Sequence, residues 1–326
     1  MVIARNFLVV ASSAMALAGA VPCIAQDYPQ KGPVTIVVPY AAGGTTDQQG
    51  RMAAEFLSKG LGGTFVVENR VGFGGNIGAD YVAKSRPDGY TLLLGGIANN
   101  AINPALFQNL PYSAENDFVA VAPLGSGPFV LVTSPASSYQ LLRDLVIAAK
   151  AKPGSINYGS AGNGTGQHLA MELFKSQAVL DLHHIPYKGT PQAMADVMGG
   201  TVAVMFNNID TVIPLVKAGK LRALGVSGAE RSAAIPSVLT FVEQGFPDMV
   251  AYSWVGVYAP RGTPSAIIQS INRTITVAMN TPENKSNIAL KGLVSAPQTP
   301  EQFEQWTKQE RERWARLVKT SGAKTD

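Results

Sequence analysis

Val34-Thr35-Ile36-Val37-Val38 runs through Pro39 into Tyr40-Ala41-Ala42-Gly43-Gly44-Thr45-Thr46-Asp47, after which 48–59 reads as a helix. Consecutive β-branched residues predict a strand covered on both faces, and the small residues behind them predict a strand-to-helix turn. The arrangement recurs: 156–158 enters Gly159-Ser160-Ala161-Gly162-Asn163-Gly164-Thr165-Gly166, and 167–175 reads as a helix. Small residues let a ligand approach the backbone, and a helix N-terminus presents unpaired N–H groups with a positive partial charge. Each loop is thus a candidate half-site for an anion, needing neither lysine nor arginine. Glycine at such a turn can also serve packing alone, so a single loop decides nothing. Two equivalent loops, one per half-chain, favour a cleft at the carboxyl ends of open sheets.

Outward from these loops, short apolar runs at 65–67, 91–94, 129–133, 183–186, 202–206, 221–226 and 254–258 alternate with helical patterns. This predicts an α/β chain with mainly parallel sheets. Four Thr-Pro pairs, at Thr190, Thr263, Thr281 and Thr299, each precede a helix-like segment, where the hydroxyl can cap and proline fits the first position. Gln302 completes a capping box with Thr299. Phe303, Trp306, Trp314, Leu317 and Val318 then fall near one face of a charged helix, which reads as a packing helix with its tryptophans in the core.

The first 26 residues differ from the rest. Arg5 is their only charged side chain, and an apolar run from Phe7 ends in Cys23-Ile24-Ala25 before Gln26-Asp27. The stretch 1–26 reads as a signal peptide cleaved after Ala25, which makes the mature protein extracytoplasmic. A retained anchor is the rival, but Ser12, Ser13, Gly19 and Pro22 dilute the run, and no later run approaches about 20 apolar residues. Pro22 before Cys23 argues against a lipoprotein. Cleavage removes the single cysteine, leaving neither disulfides nor thiol chemistry.

What remains of the 326 residues exceeds one compact core, so two lobes are expected. The net charge of +4, less Arg5, is thinly spread and does not suit nucleic-acid binding. Gly162-Asn163-Gly164-Thr165-Gly166 and Gly72-Phe73-Gly74-Gly75-Asn76-Ile77-Gly78 both miss the Rossmann spacing, and there is no P-loop. Gly159-Ser160-Ala161-Gly162 is not a nucleophile elbow. His168 and Glu172 are one helical turn apart without an evident third metal ligand, while His183 and His184 on a strand point to opposite faces. The residues therefore predict no enzyme, no metal and no cofactor.

Val37-Val38-Pro39-Tyr40, Gly43-Gly44-Thr45-Thr46-Asp47, Val67-Glu68-Asn69-Arg70, Gly74-Gly75-Asn76-Ile77-Gly78, Pro87-Asp88-Gly89-Tyr90-Thr91-Leu92, Ala101-Ile102-Asn103-Pro104, Ser160-Ala161-Gly162-Asn163-Gly164-Thr165, Pro186-Tyr187-Lys188-Gly189 and Ala218-Gly219-Lys220-Leu221-Arg222 follow in order along the chain. In these motifs the mature chain resembles the tripartite tricarboxylate transporter substrate-binding proteins, also called Bug receptors. The resemblance implies a two-lobed periplasmic-binding-protein fold, type II-like, with a ligand cleft between the lobes. It also implies a monomeric periplasmic receptor that delivers an organic acid to a two-component integral membrane permease. A membrane sensor kinase is an alternative partner. By the same resemblance the first lobe comprises 27–127 and 250–326, and the second 128–249.

The resemblance further implies that Tyr40, Ala41, Gly44, Thr45, Thr46 and Asp47, with Ser160, Ala161, Gly162, Gly164 and Thr165, grip one ligand carboxylate. It places Asn207 and Asn208 on the cleft wall. Tyr40, Ile97, Asn99, Tyr187, Asn207 and Trp254 are expected to include the residues that select the rest of the ligand. Where many relatives carry Met/Phe-Asp-Asn, this chain has Met205-Phe206-Asn207-Asn208. A neutral Asn207 would leave a buried ligand ammonium unpaired, so a ligand without an amino group is expected. Alternatively, Asn207 is only a turn residue at a strand end.

Overall fold

The computed structural model describes residues 28–295 and 297–321, so the signal segment and the cleavage after Ala25 lie outside the described residues. β1 (Val34–Val38) sits between β2 (Phe65–Asn69) and β3 (Thr91–Gly96), parallel to both. Its side chains alternate between two cores: Val34, Ile36 and Val38 meet α1 (Thr45–Leu61) and α8 (Ser265–Met279), while Val37 points to the other face. β9 (Tyr252–Pro260) then pairs antiparallel with β3.

The two halves of the molecule are joined by β4 (Phe118–Thr133). Residues 118–128 pair with β9, whereas 129–133 pair with β7 (Val204–Asn208) and 130–133 with β8 (Arg222–Val226). Beyond β7, β5 (Asn157–Ser160) and β6 (His183–Pro186) run parallel to complete the second lobe's sheet. All pairings of β9 and β4 are antiparallel, so the sheet is mixed rather than mainly parallel. The reason is topological: a strand that leaves one lobe must be matched by one that returns. Only 129–133 of β4 reads as a strand in the sequence. Its earlier half holds Pro123, Gly125 and Gly127, and register shifts at 120/122 and 123/125 absorb them as bulges.

Helix α10 (Pro300–Ser321) packs on β4 and on α5 (Gly166–Ala178), bridging the two lobes. Phe303 and Trp314 are fully buried, as expected of a packing helix, and burying Phe303 alone is worth about 1.5–3 kcal/mol. The capping box forms, with Gln302 N donating to Thr299 Oγ1 at 3.2 Å and Thr299 N to Gln302 Oε1 at 3.0 Å. Thr281 Oγ1 likewise accepts from Asn284 N. The other two Thr-Pro pairs do not cap: α6 (Thr190–Gly199) begins after Gly189 with no side-chain bond, and Thr263 donates to Pro260 O instead.

Candidate functional site

Four helix N-termini meet at one cavity between the lobes. α1 follows Gly44, α5 follows Thr165, α6 follows Gly189, and α7 (Ile209–Lys217) follows Asn208; none of the four ends has a side-chain cap. Each leaves first-turn N–H groups without helical partners, carrying the positive end of the helix dipole, although at α7 the Asp210 carboxylate takes those of Asp210 and Thr211. These four capping residues, and Thr45, Thr46, Gly166, Gln167 and Thr190 behind them, line a cavity of about 50 Å³. Among the described residues no Asp, Glu, Lys, Arg or His lines it, so what it offers an anion comes from backbone dipoles. Two buried amide atoms in the wall lack a protein partner: Asn99 Nδ2 from the first lobe and Asn208 Oδ1 from the second. One offers a donor and the other an acceptor, and each costs about 1–3 kcal/mol while unbonded.

Of the residues singled out in the sequence, Tyr40, Ala41, Gly44, Thr45, Thr46, Ile97, Asn99, Ala161, Thr165, Asn208 and Trp254 line this cavity. Gly162 and Tyr187 line a second, of about 220 Å³, which shares Tyr40 and Ala161 with the first. Tyr40 hydroxyl donates to Gly74 O and Asn99 Oδ1, each at 3.4 Å, and burial raises its pKa above the ordinary phenol value.

Asp47 is not part of the wall. Its carboxylate accepts from Gly43 N at 3.0 Å, from Arg51 Nε and Nη2 at 3.0 Å, and from Asn69 Nδ2 at 3.0 Å. Burial alone would raise its pKa, but the bonds from Arg51, Gly43 and Asn69 bring it below the usual carboxylate value. Asn69 Nδ2 also donates to Tyr40 O at 2.9 Å, so Asp47 and Asn69 shape the first loop from behind.

Ser160 and Gly164 are scaffold in the same way. Gly162 N donates to Ser160 Oγ at 3.1 Å, and that hydroxyl lies 2.7 Å from His184 Nε2. Gly164 N donates to His168 Nδ1 at 3.2 Å. The two imidazoles stack, with centroids 4.2 Å apart and planes within 4°. Burial, then the charge of Lys175, lowers the pKa of His168 to about 4. The second loop therefore rests on a stacked pair of histidines. Among the described residues no three His, Cys, Asp or Glu side chains are grouped to hold a metal ion.

Asn207 points into the second lobe, not the cleft. It is fully buried, its Oδ1 accepts from Asn208 N at 2.8 Å, and its Nδ2 donates to Met194 Sδ at 4.0 Å. Its neighbour Asn208 forms the wall, because adjacent strand residues face opposite sides. Sequence reasoning also missed Gln167, Gly189, Thr190 and Ser253. The Thr190-Pro191 start of α6 is legible in the sequence, and so is the start of α5 that carries Gln167; that α6 ends at the same cavity is a tertiary fact.

Residues 50–323 match the family described as tripartite tricarboxylate transporter family receptor. The chain is similar to the protein BugT of Bordetella pertussis, 38% identical over 306 residues that cover 94% of each chain. Among solved structures it resembles an R. palustris protein with adipate, at 33% identity and a TM-score of 0.88, covering 91% of this chain and 99% of that one. MatC from Rhodopseudomonas palustris with bound malate is 29% identical, with a TM-score of 0.85 over 88% of this chain and 99% of that one.

Proposed function

The chain belongs to the tripartite tricarboxylate transporter receptor family, and from that premise we propose that it captures a small organic acid between its lobes in the periplasm and delivers it to a two-component integral membrane permease. It is a receptor and not an enzyme. The observation that carries the ligand class is the convergence of four helix N-termini on a wall without a charged side chain. Such a site favours a carboxylate through oriented N–H groups. The adipate and malate held by similar proteins support the same class.

The ligand carries no ammonium group in this reading. Its support moves from Asn207 to the whole wall, which holds no carboxylate to pair with a buried cation. Capture is a population shift: α1 lies in one lobe and α5, α6 and α7 in the other, so only a closed form touches the ligand from both sides. A lobe boundary near 127 and 250 is supported by β4, which exchanges β9 for β7 and β8 after Pro128. In this reading the exported chain, cut after Ala25, works as a monomer.

A thermal-shift screen against organic acids tests the reading. A ligand bound only by the native state stabilises it by RT ln(1 + [L]/Kd), so at least one carboxylate should raise the Tm in a saturating way. A flat response across mono-, di- and hydroxycarboxylates would sink the proposal.

A further inference from the structure

Asn163-Gly164 is the single Asn-Gly pair in the sequence, and it lies in the second loop between Gly162 and Thr165. Such a pair is reactive by connectivity: glycine has no Cβ to hinder its nitrogen, and that nitrogen can close a ring on the side-chain carbonyl carbon of the residue before it. The fold decides whether the reaction runs. Here Asn163 is only half-buried, and its Oδ1 is enclosed without a hydrogen-bond partner. An unbonded buried acceptor costs about 1–3 kcal/mol, so no bond to that oxygen is lost when the side chain turns.

The nitrogen is prepared from its other side. Gly164 N directs its hydrogen at His168 Nδ1, 3.2 Å away, and accepting that bond fixes the imidazole as the neutral tautomer protonated at Nε2. Burial, then the charge of Lys175, keeps the ring neutral down to about pH 4. With so low a pKa it is a modest base, but once protonated it is a strong acid, which suits it to pass the proton on to a leaving group. Asn163 also lines the second cavity, whose volume of about 220 Å³ has room for water.

We propose that Asn163 is a self-modification site, at which the Gly164 nitrogen attacks Asn163 Cγ and His168 moves the proton from that nitrogen to the departing amide. The N–Cγ bond forms as His168 Nδ1 takes the Gly164 proton. The Cγ–Nδ2 bond breaks as His168 returns the proton to Nδ2, and ammonia leaves. Water then opens the resulting succinimide to aspartate or isoaspartate.

Both products disable the loop. Among the described residues no Asp or Glu lines either cavity, so a carboxylate at 163 sets a like charge beside the incoming anion. Isoaspartate also lengthens the backbone by one carbon where space is short: a Cβ on Gly74 of the first lobe would lie 2.4 Å from Asn163 O. The modification therefore retires aged receptor. That consequence rests on the reading of the cleft as a carboxylate site.

Peptide mapping by mass spectrometry of the mature protein, aged at pH 7.5, tests the chemistry. Asn163 should convert to aspartate and isoaspartate ahead of every other asparagine. In His168→Gln, which still accepts from Gly164 N but cannot pass a proton on, conversion should be slower by about tenfold or more. Intact Asn163 in aged wild type, or equal rates in the two proteins, overturns the proposal. Calorimetry with adipate and malate on the same samples tests the consequence: the binding-competent fraction should fall in step with intact Asn163, and aged Asn163→Ser should lose none. Full competence after conversion overturns the loss of function. If fresh wild type binds neither acid, the consequence falls with the reading it rests on, and the peptide map alone decides the modification.

Discussion

Thr45 Oγ1 donates a hydrogen bond of 2.9 Å to Asp210 Oδ1, joining the first turn of α1 in one lobe to the first turn of α7 in the other. Burial raises the Asp210 pKa above the usual carboxylate value, and the bonds from Thr45 and from the backbone N–H groups of Thr211 and Asp210 only partly offset it. The bond exists only while the lobes are together, so it acts as a latch on the closed form.

Asp210 is outside the cavity wall, so Asp210→Ala removes the latch without touching the ligand. A bond of this kind contributes about 1 kcal/mol net, and a closed state less favoured by that amount weakens binding about fivefold. Titration calorimetry should show that loss, while the unliganded Tm falls modestly because the first-turn N–H groups of Asp210 and Thr211 lose the same acceptor. Equal affinity in the variant would mean that the bond plays no part in closure.

Gly164 limits how closely the lobes approach. It sits at φ 77°, and a Cβ there would lie 2.6 Å from Asn103 Oδ1 and 2.8 Å from Phe107 Cε2, both in the first lobe. Gly164→Val should therefore obstruct closure and weaken ligand binding at least about 100-fold, while its backbone strain costs only about 1–2 kcal/mol of stability. Calorimetry paired with urea unfolding separates the two effects; undiminished affinity would remove the second loop from the site.

The loops were legible because their signals are local: a β-branched run, then glycines and hydroxyls, then a helix. What escaped depends on side-chain direction and on distant partners. Asn207 and Asn208 differ by one place on a strand, and that one place exchanges the cleft for the core. Asp47 lies within the first loop's motif, yet Arg51 and Asn69 draw its carboxylate behind the loop. The first half of β4 reads as irregular because its strand geometry is imposed by pairing with β9. The α/β alternation and the C-terminal packing helix follow from periodicity, which needs no tertiary information.

His168 makes the protein acid-sensitive. Its folded pKa is about 4 against an ordinary value of 6.5, so between these pH values the unfolded chain binds more protons than the folded one. Stability is complete above about pH 6.5 and falls as the pH drops toward 4, by roughly 3 kcal/mol in all. Asp210, shifted upward, works in the opposite sense, so the comparison that isolates His168 is wild type against His168→Gln. The glutamine can still accept from Gly164 N but does not titrate. Urea unfolding at pH 7.5 and pH 4.5 should show a smaller difference for the variant, and identical differences would rule out His168 as the source.

Glu310 ties the cavity to the bridging helix. Its Oε2 accepts from Trp254 Nε1 at 3.2 Å and from Trp314 Nε1 at 3.1 Å, and its Oε1 lies 3.3 Å from Arg313 Nη1. Both indoles are buried, and Trp254 also lines the cavity. Glu310→Ala would strand two buried N–H donors, at about 1–3 kcal/mol each, whereas Glu310→Gln keeps an acceptor oxygen. Unfolding should then give a loss of about 2–6 kcal/mol for alanine and clearly less for glutamine. Because Trp254 is released at the same time, the alanine variant should also bind ligand more weakly and show altered tryptophan emission. A stability loss with unchanged affinity would mean that the helix supports the fold without positioning the wall.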